Sequence, residues 1–396
     1  MAASLLGPSC GEAHAGDARV SERDAAGWLR EWDAQGHHRT GTDGDEAGAT
    51  WLEREAAALG ATVTRETFAF ERVDPIDAWL EIDGHRIDAV LVFDAPATGP
   101  DGIAGALGPS GGDAPIGVAE LSPQSVYSGE YKSLRRQTRH RALVIVCQGA
   151  HPGMGLLNAE QFRTPYGTPA IHVASEAREP VFAAVARGAS ARVIAHCRRC
   201  PATACNVVVV LPGRDRARTP VAVMTPRSSW WQSTAERGGG LVCWLETLRA
   251  LLANPPAMDV VMTANSGHEL GHLGLDDFIA RRPGWDRDAL WLHWGANLGA
   301  AGGSLTVMSA SNDLRAAAVH ALTEARQPPD ALAPARGGFA GLSGSGVFGS
   351  AVGVTCFTHG ELAITSLASA SVHSGNRLSL HVGSAELSAN AATLAN

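Results

Sequence analysis

The sequence predicts an α/β protein with a mixed, mostly parallel sheet flanked by helices and an inserted β-rich domain. Three observations lead there. After Asn206, short apolar runs alternate with helical segments, the pattern of a sheet covered by helices on both faces. Between Pro75 and Cys205 the texture is different, with short alternating strands broken by Gly and Pro turns. Before Pro75, two amphipathic helices lead into one strand. The expected organisation is therefore a discontinuous main domain, residues 18–75 plus 206–396, interrupted by a β-rich domain at 76–205.

In chain order, Trp28, Leu29 and Trp32 share one stripe of a first helix. The polar turn HHRTGTDG follows, then a second helix running to Leu59 with Gly60 at its C-terminal cap. The alternation in TVTRETFAF marks an edge or outer strand. AWLEIDG, AVLVF, ALVIVC and AIHVAS supply strands of the β-rich part. NVVVVLPG, VAVMT, DVVMTA, ALWLHWG, SLTVMSA and GVTCF supply those of the later part, with helices over 241–253, 269–281 and 312–326. Residues 327–346 form a long loop, and loops of that length inside a domain are often functional.

Composition narrows the function classes. The chain has 396 residues, 45% of them apolar and 18% charged, which suits a large ordinary core. A net charge of −8 gives no basic excess, so neither nucleic acid nor an anionic membrane is the expected partner. The longest apolar run, near Val207–Leu211, falls far short of the ~20 residues of a membrane-spanning helix. No basic start followed by an apolar stretch marks a secretion signal, and the seven cysteines are odd in number and scattered. Both features point to a reducing, cytoplasmic setting.

The chemistry gathers on two loops. TPRSSWWQSTAERGGG (225–240) follows one strand and SGHELGHLGLDDF (266–278) follows another. In an open α/β sheet, loops at the carboxyl ends of the strands form the active-site crevice. Arg227, Glu236, Arg237, His268, Glu269 and His272 therefore belong to one candidate site, and His373, in the turn SVHSGNR, is placed to join them. HELGH matches HExxH, in which His268 and His272 one helical turn apart would bind zinc and Glu269 would activate water. Against that reading, the motif starts only a few residues after a strand, Gly271 lies inside it, and the next His is His293. A second thiol-rich segment, HCRRCPATAC, sets Cys197, Cys200 and Cys205 at a domain junction, with the CxxC spacing of a metal or redox pair and no second CxxC.

The order of parts from His38 onward resembles the zinc aminopeptidase family that also contains the glutaminyl cyclases. HRTGT and its helix look like the family's N-terminal segment, and residues 76–205 look like the protease-associated domain many members carry. ERGGG looks like its Asp-Asn-x-x-Gly, GHELGHLG like its Glu-Glu-x-Gly-x-x-Gly, and VHSGNR like its closing His turn. The resemblance covers nearly the whole chain and implies a dinuclear zinc site. The first metal's ligands are missing here: His-x-Asp reads Pro226-Arg-Ser228, and Asn-Leu-Asp reads Asn297-Leu-Gly299. The other metal's set keeps its type as Glu236, Glu269 and His373, the trio with which glutaminyl cyclases hold one zinc, while His268 stands at the catalytic-base position.

The function expected is a hydrolase using one zinc ion on an amide or peptide-like bond of a small or short peptide-like substrate. His268 would move the proton, and Arg227 and Arg237 would hold a negatively charged part of the substrate. An acyl transferase or cyclase with the same single-metal site is one alternative. A metal-free pseudoenzyme that binds a ligand in the cleft is the other. Of Trp230 and Trp231, adjacent in an extended segment and so facing opposite ways, one is expected to line the cleft.

Overall fold

The computed structural model describes residues 22–148, 153–298, 300, 304–309, 311–333, 352–359, 377–382 and 385–390. His373 and most of the 327–346 loop lie outside them. The chain opens with helices α1 (Glu22–Ala34) and α2 (Asp43–Ala58). Trp28, Leu29 and Trp32 of α1 are buried, as their spacing requires. Gly60 ends α2 with φ +97°, a left-handed turn that lets its N–H reach Ala57 O at 2.9 Å.

Strands β1 (Val63–Ile82), β2 (His85–Leu91), β3 (Ile103–Pro109) and β4 (Ile116–Leu121) come next, then α3 (Gly129–Gln137), β5 (Ala142–Cys147), β6 (Ala170–Val173) and α4 (Arg178–Ala186). The 22-residue β7 (Ser190–Leu211) runs antiparallel to β1 from Val63↔Val209 to Ile82↔Ala191. Around the far halves of this pair the order β1-β2-β6-β5-β4-β3-β7 closes on itself into a ring of strands. Inside the ring, Ile116, Val118, Val144, Val146, Ile171 and Val193 form a dry core. Strands β1 and β7 pass through 75/76 and 205/206 without ending, with one register shift at Pro75/Asp77.

The main sheet grows from the near half of β7. Its further elements are β8 (Val221–Pro226), α5 (Gly239–Ala253), β9 (Val260–Asn265), α6 (Leu273–Ala280), α7 (Trp285–Asp288), β10 (Leu290–Trp294), β11 (Ser304–Met308), α8 (Asn312–Glu324), β12 (Ala331–Ala333) and β13 (Val352–His359). A separate hairpin, β14 (Arg377–Val382) with β15 (Ala385–Asn390), completes the described strands. The sheet order is β7-β9-β8-β10-β13-β11-β12, and β9, β8, β10 and β13 are mutually parallel. Residues alternate across it: Val260, Met262 and Ala264 of β9 face a core with α1, α2 and α5, and Val261 faces one with α6. Both faces are thus covered, and the open crevice lies past the carboxyl ends of β8 and β9. No described helix is long and apolar enough to cross a membrane.

Candidate functional site

Beyond β8 the chain bends at Trp230–Trp231, turns left-handed at Ser233 (φ +51°), makes a π-helical turn at Thr234–Gly238, and enters α5. Beyond β9 it makes a tight reversal, not a helix. A single 3-10 turn spans His268–Leu270, with Gly267 (φ +88°), Gly271 (φ +72°) and His272 (φ +62°) all left-handed. The space demands glycine twice: a Cβ on Gly267 would sit 2.7 Å from that of Leu273, and one on Gly271 would sit 2.9 Å from Glu160 O. This corrects the helical HExxH reading, because His268 and His272 are not one α-turn apart. Their rings meet edge to face at 4.5 Å. His272 is 3% exposed.

The two loops are tied together by Ser228. Its Oγ accepts from Gly267 N (2.7 Å) and His268 N (3.2 Å) and donates to Glu269 Oε2 (2.6 Å). The other oxygen, Oε1, accepts from both Thr40 N and Thr40 Oγ1 at 2.7 Å. Glu269 is 1% exposed. Burial pushes its carboxyl above the usual range, and the Ser228 and Thr40 hydrogen bonds oppose that rise. Thr40 belongs to the HHRTGTDG turn, whose neighbour Asp45 accepts from Ser266 Oγ (2.8 Å) and Gly41 N (2.8 Å).

Arg227 is enclosed in the same layer. It pairs with Asp45 Oδ1 at 2.9 Å, donates to Asp45 O, and donates to Cys205 O at 2.8 Å. Buried, with its guanidinium bonded to Asp45 and Cys205 O, it is a strut between α2, β7 and β8, which corrects its expected role. Arg237 occupies the centre of the crevice. Its Nη2 lies 2.7 Å from Glu236 Oε1 and 2.8 Å from His268 Nδ1, and its Nε donates to Ser228 O at 2.9 Å. Its Nη1 is buried and has no hydrogen-bond partner among the described residues. A guanidinium only donates, so Nδ1 of His268 must be the bare nitrogen and Nε2 carries the proton. Burial, reinforced by Arg237, His272 and His293, holds His268 well below its ordinary pKa. In this arrangement its one acceptor nitrogen is already used, so it cannot take a proton without giving up Arg237.

His293, on β10, was not among the residues singled out from sequence. Together with His272 it forms the floor beside Arg237, and burial pushes each down to about 3. Tyr127 and Glu160 approach from the β-rich side, where Ala159 N donates to Glu269 O at 2.8 Å. Burial with Asp94 pushes Glu160 up to about 7.

The expected zinc trio is tested by two of its members, since His373 lies outside the described residues. Both oxygens of Glu269 accept hydrogen bonds, and Glu236 is paired with a buried guanidinium that would repel a divalent cation. Among the described residues no group of three or more His, Cys, Asp or Glu is placed to hold a metal. As arranged here, Glu236 and Glu269 do not fit a zinc ion. The thiol-rich segment is resolved too. It lies on β7, where Cys197 and Cys200, three residues apart, point to opposite faces, and Cys205 is buried in the main core. That is a correction of the CxxC reading.

The fold is one shared with solved zinc aminopeptidases. Solved structures that share it include the zinc aminopeptidase BSAP of Bacillus subtilis, with a TM-score of 0.66 at 15% identity over 87% of this chain and 86% of that one. An aminopeptidase from Aneurinibacillus sp. strain AM-1 superposes with a TM-score of 0.64 at 13% identity, over 88% and 87% of the two chains. A peptidase M28 precursor from Shewanella amazonensis gives 0.65 at 13% identity, over 86% and 87%. No protein-family model and no curated protein sequence matches the chain.

Proposed function

We propose that this protein is a metal-independent binding protein on the aminopeptidase fold, with the Arg237 guanidinium as the fixed cation of its crevice. The ligand is a small or short peptide-like molecule that offers Arg237 a hydrogen-bond acceptor. One observation carries the reading: Arg237 bridges Glu236 and His268, and its Nη1 has no hydrogen-bond partner among the described residues. A buried N–H without a partner costs about 1–3 kcal/mol, so an acceptor placed there is favoured.

The other reading, a single-zinc hydrolase or cyclase with ligands Glu236, Glu269 and His373, draws on the likeness to zinc aminopeptidases. It requires Arg237 to leave Glu236 and Glu269 to release Thr40 or Ser228. Native mass spectrometry after incubation with one equivalent of zinc separates the two. We expect no ion retained through buffer exchange. One zinc per chain, lost in Glu236→Ala and in His373→Ala, would establish the hydrolase site instead.

A further inference from the structure

A second cleft opens on the other side of the 226–231 segment, and none of Glu236, Arg237 or His268 lines it. Its walls are Gln35, His37, Arg39, Asp43, Phe93 and Trp231, with Trp230 behind, and its volume is ≈ 550 Å³. That lies in the range of small-molecule sites, ~300–1,000 Å³.

One wall is aromatic and rigid. Phe93 and Trp230 pack with ring centres 4.6 Å apart, and the Trp231 indole N–H is fixed on Met154 O at 3.2 Å. His37 meets Trp231 edge to face at 5.0 Å. Backbone bonds hold the frame in place: His38 N donates to Trp231 O and Ser229 N to His38 O, each at 3.1 Å.

The cation in this cleft is incompletely neutralised. The Arg39 guanidinium stands 5.4 Å over the Phe93 ring and donates to Val73 O (2.6 Å) and weakly to Asp74 Oδ1 (3.4 Å). Asp74, however, is already held by Arg72 through two bonds of 2.7 and 2.9 Å. One carboxylate thus serves two guanidiniums, so Asp74 only partly neutralises Arg39. Three of its five N–H groups carry no such bond. Burial pushes Arg39 below its ordinary value although Asp74 and Glu269 act in the opposite direction, as expected for a desolvated, under-compensated cation. Asp43 is the remaining charge at the rim, so a ligand with a second negative group is disfavoured.

We infer that this cleft binds a planar aromatic monocarboxylate, its ring against Trp231 and Phe93 and its carboxylate on Arg39. Ring contact and a charge-assisted, two-point hydrogen bond act together there.

Isothermal titration calorimetry with 2-naphthoate tests it, alongside cyclohexanecarboxylate and 2-naphthalenemethanol as ligands lacking the ring or the charge. We expect submillimolar binding of 2-naphthoate and at least about tenfold weaker binding of the other two, equal to about 1.4 kcal/mol. Arg39→Gln and Trp231→Leu should each lose about tenfold in affinity, whereas Arg39→Lys keeps the charge and loses less than Arg39→Gln. Circular dichroism establishes that each variant is folded. A crystal soaked with 2-naphthoate should place it between Trp231 and Arg39. Absence of binding, equal affinity for the three ligands, unchanged affinity in both Arg39→Gln and Trp231→Leu, or 2-naphthoate located at Arg237 would each overturn the inference. A failure here leaves the Arg237 reading standing, since that one is decided by metal retention.

Discussion

Asp45 and Arg227 show how far a charged residue can move from chemistry into architecture. Both sit within 2% of complete burial, and each satisfies the other while bracing a different element. Removing one partner of such a pair strands a buried charge, which costs about 3–5 kcal/mol. Asp45→Asn should therefore lose about that much stability in urea unfolding. A loss below about 1 kcal/mol would show that Arg227 reaches water, and its substrate-binding role would return. Ser228 is a parallel case, with one hydroxyl serving Gly267, His268 and Glu269. The sequence made the loops legible and mis-assigned several residues within them. Glu269 was recognised as important, but its partner Thr40 is 229 residues away, and no local pattern announces that distance. The HExxH spacing sets His272 one helical turn from His268, whereas the backbone there is left-handed.

At the scale of elements, periodicity was a good guide. The stripe of α1, the cap at Gly60, and the alternation of β1 and β9 all follow from side-chain spacing. The cysteine spacing misled because CxxC suits a metal or redox pair in a turn, whereas on the strand β7 it separates the thiols. The division of the chain into residues 76–205 and residues 18–75 plus 206–396 is our proposal, and β1 and β7 run through both junctions. Pro75 offers no N–H to the ladder, and the register shifts there, so cooperativity is weakest at that point. Native-state hydrogen exchange should then place amides of 77–82 and 191–196 in one opening unit with β4 and β5. Those of 63–70 and 204–209 should open with β9. A single opening free energy along the whole of β1 would contradict two units.

Across the whole molecule, the buried titratable groups oppose one another, and the balance fixes how it responds to acid. His38 stacks on Trp32 at 3.6 Å, His172 lies beneath Leu91, and His272 and His293 line the crevice. Burial lowers His38, His272 and His293 to about 3, His172 to about 4, and His268 well below its ordinary value. A lowered histidine pKa means that the unfolded chain binds the proton better. Its contribution is complete above pH ~6.5 and is lost as pH falls toward the folded value. The carboxylates act with the opposite sign. Glu160 and Glu246 are raised to about 7, and Asp45 and Glu269 are raised as well, so the folded chain binds their protons better. Between pH 6.5 and about 4.5 the gain from Glu160 and Glu246 offsets only part of the loss from the histidines. Below about 4.5 the unfolded carboxylates protonate too and that gain ends, while the histidines keep losing up to about 1.4 kcal/mol each per pH unit. Stability should therefore decline gradually from pH 6.5 to 5 and fall more steeply between pH 4.5 and 3.5, with uptake of several protons. Urea unfolding at half-unit pH intervals measures this directly. A decline as steep between pH 6.5 and 5 as between 4.5 and 3.5 would mean that Glu160 and Glu246 are not raised in the folded protein. Stability persisting below pH 3 would mean that the buried histidines accept protons without unfolding it.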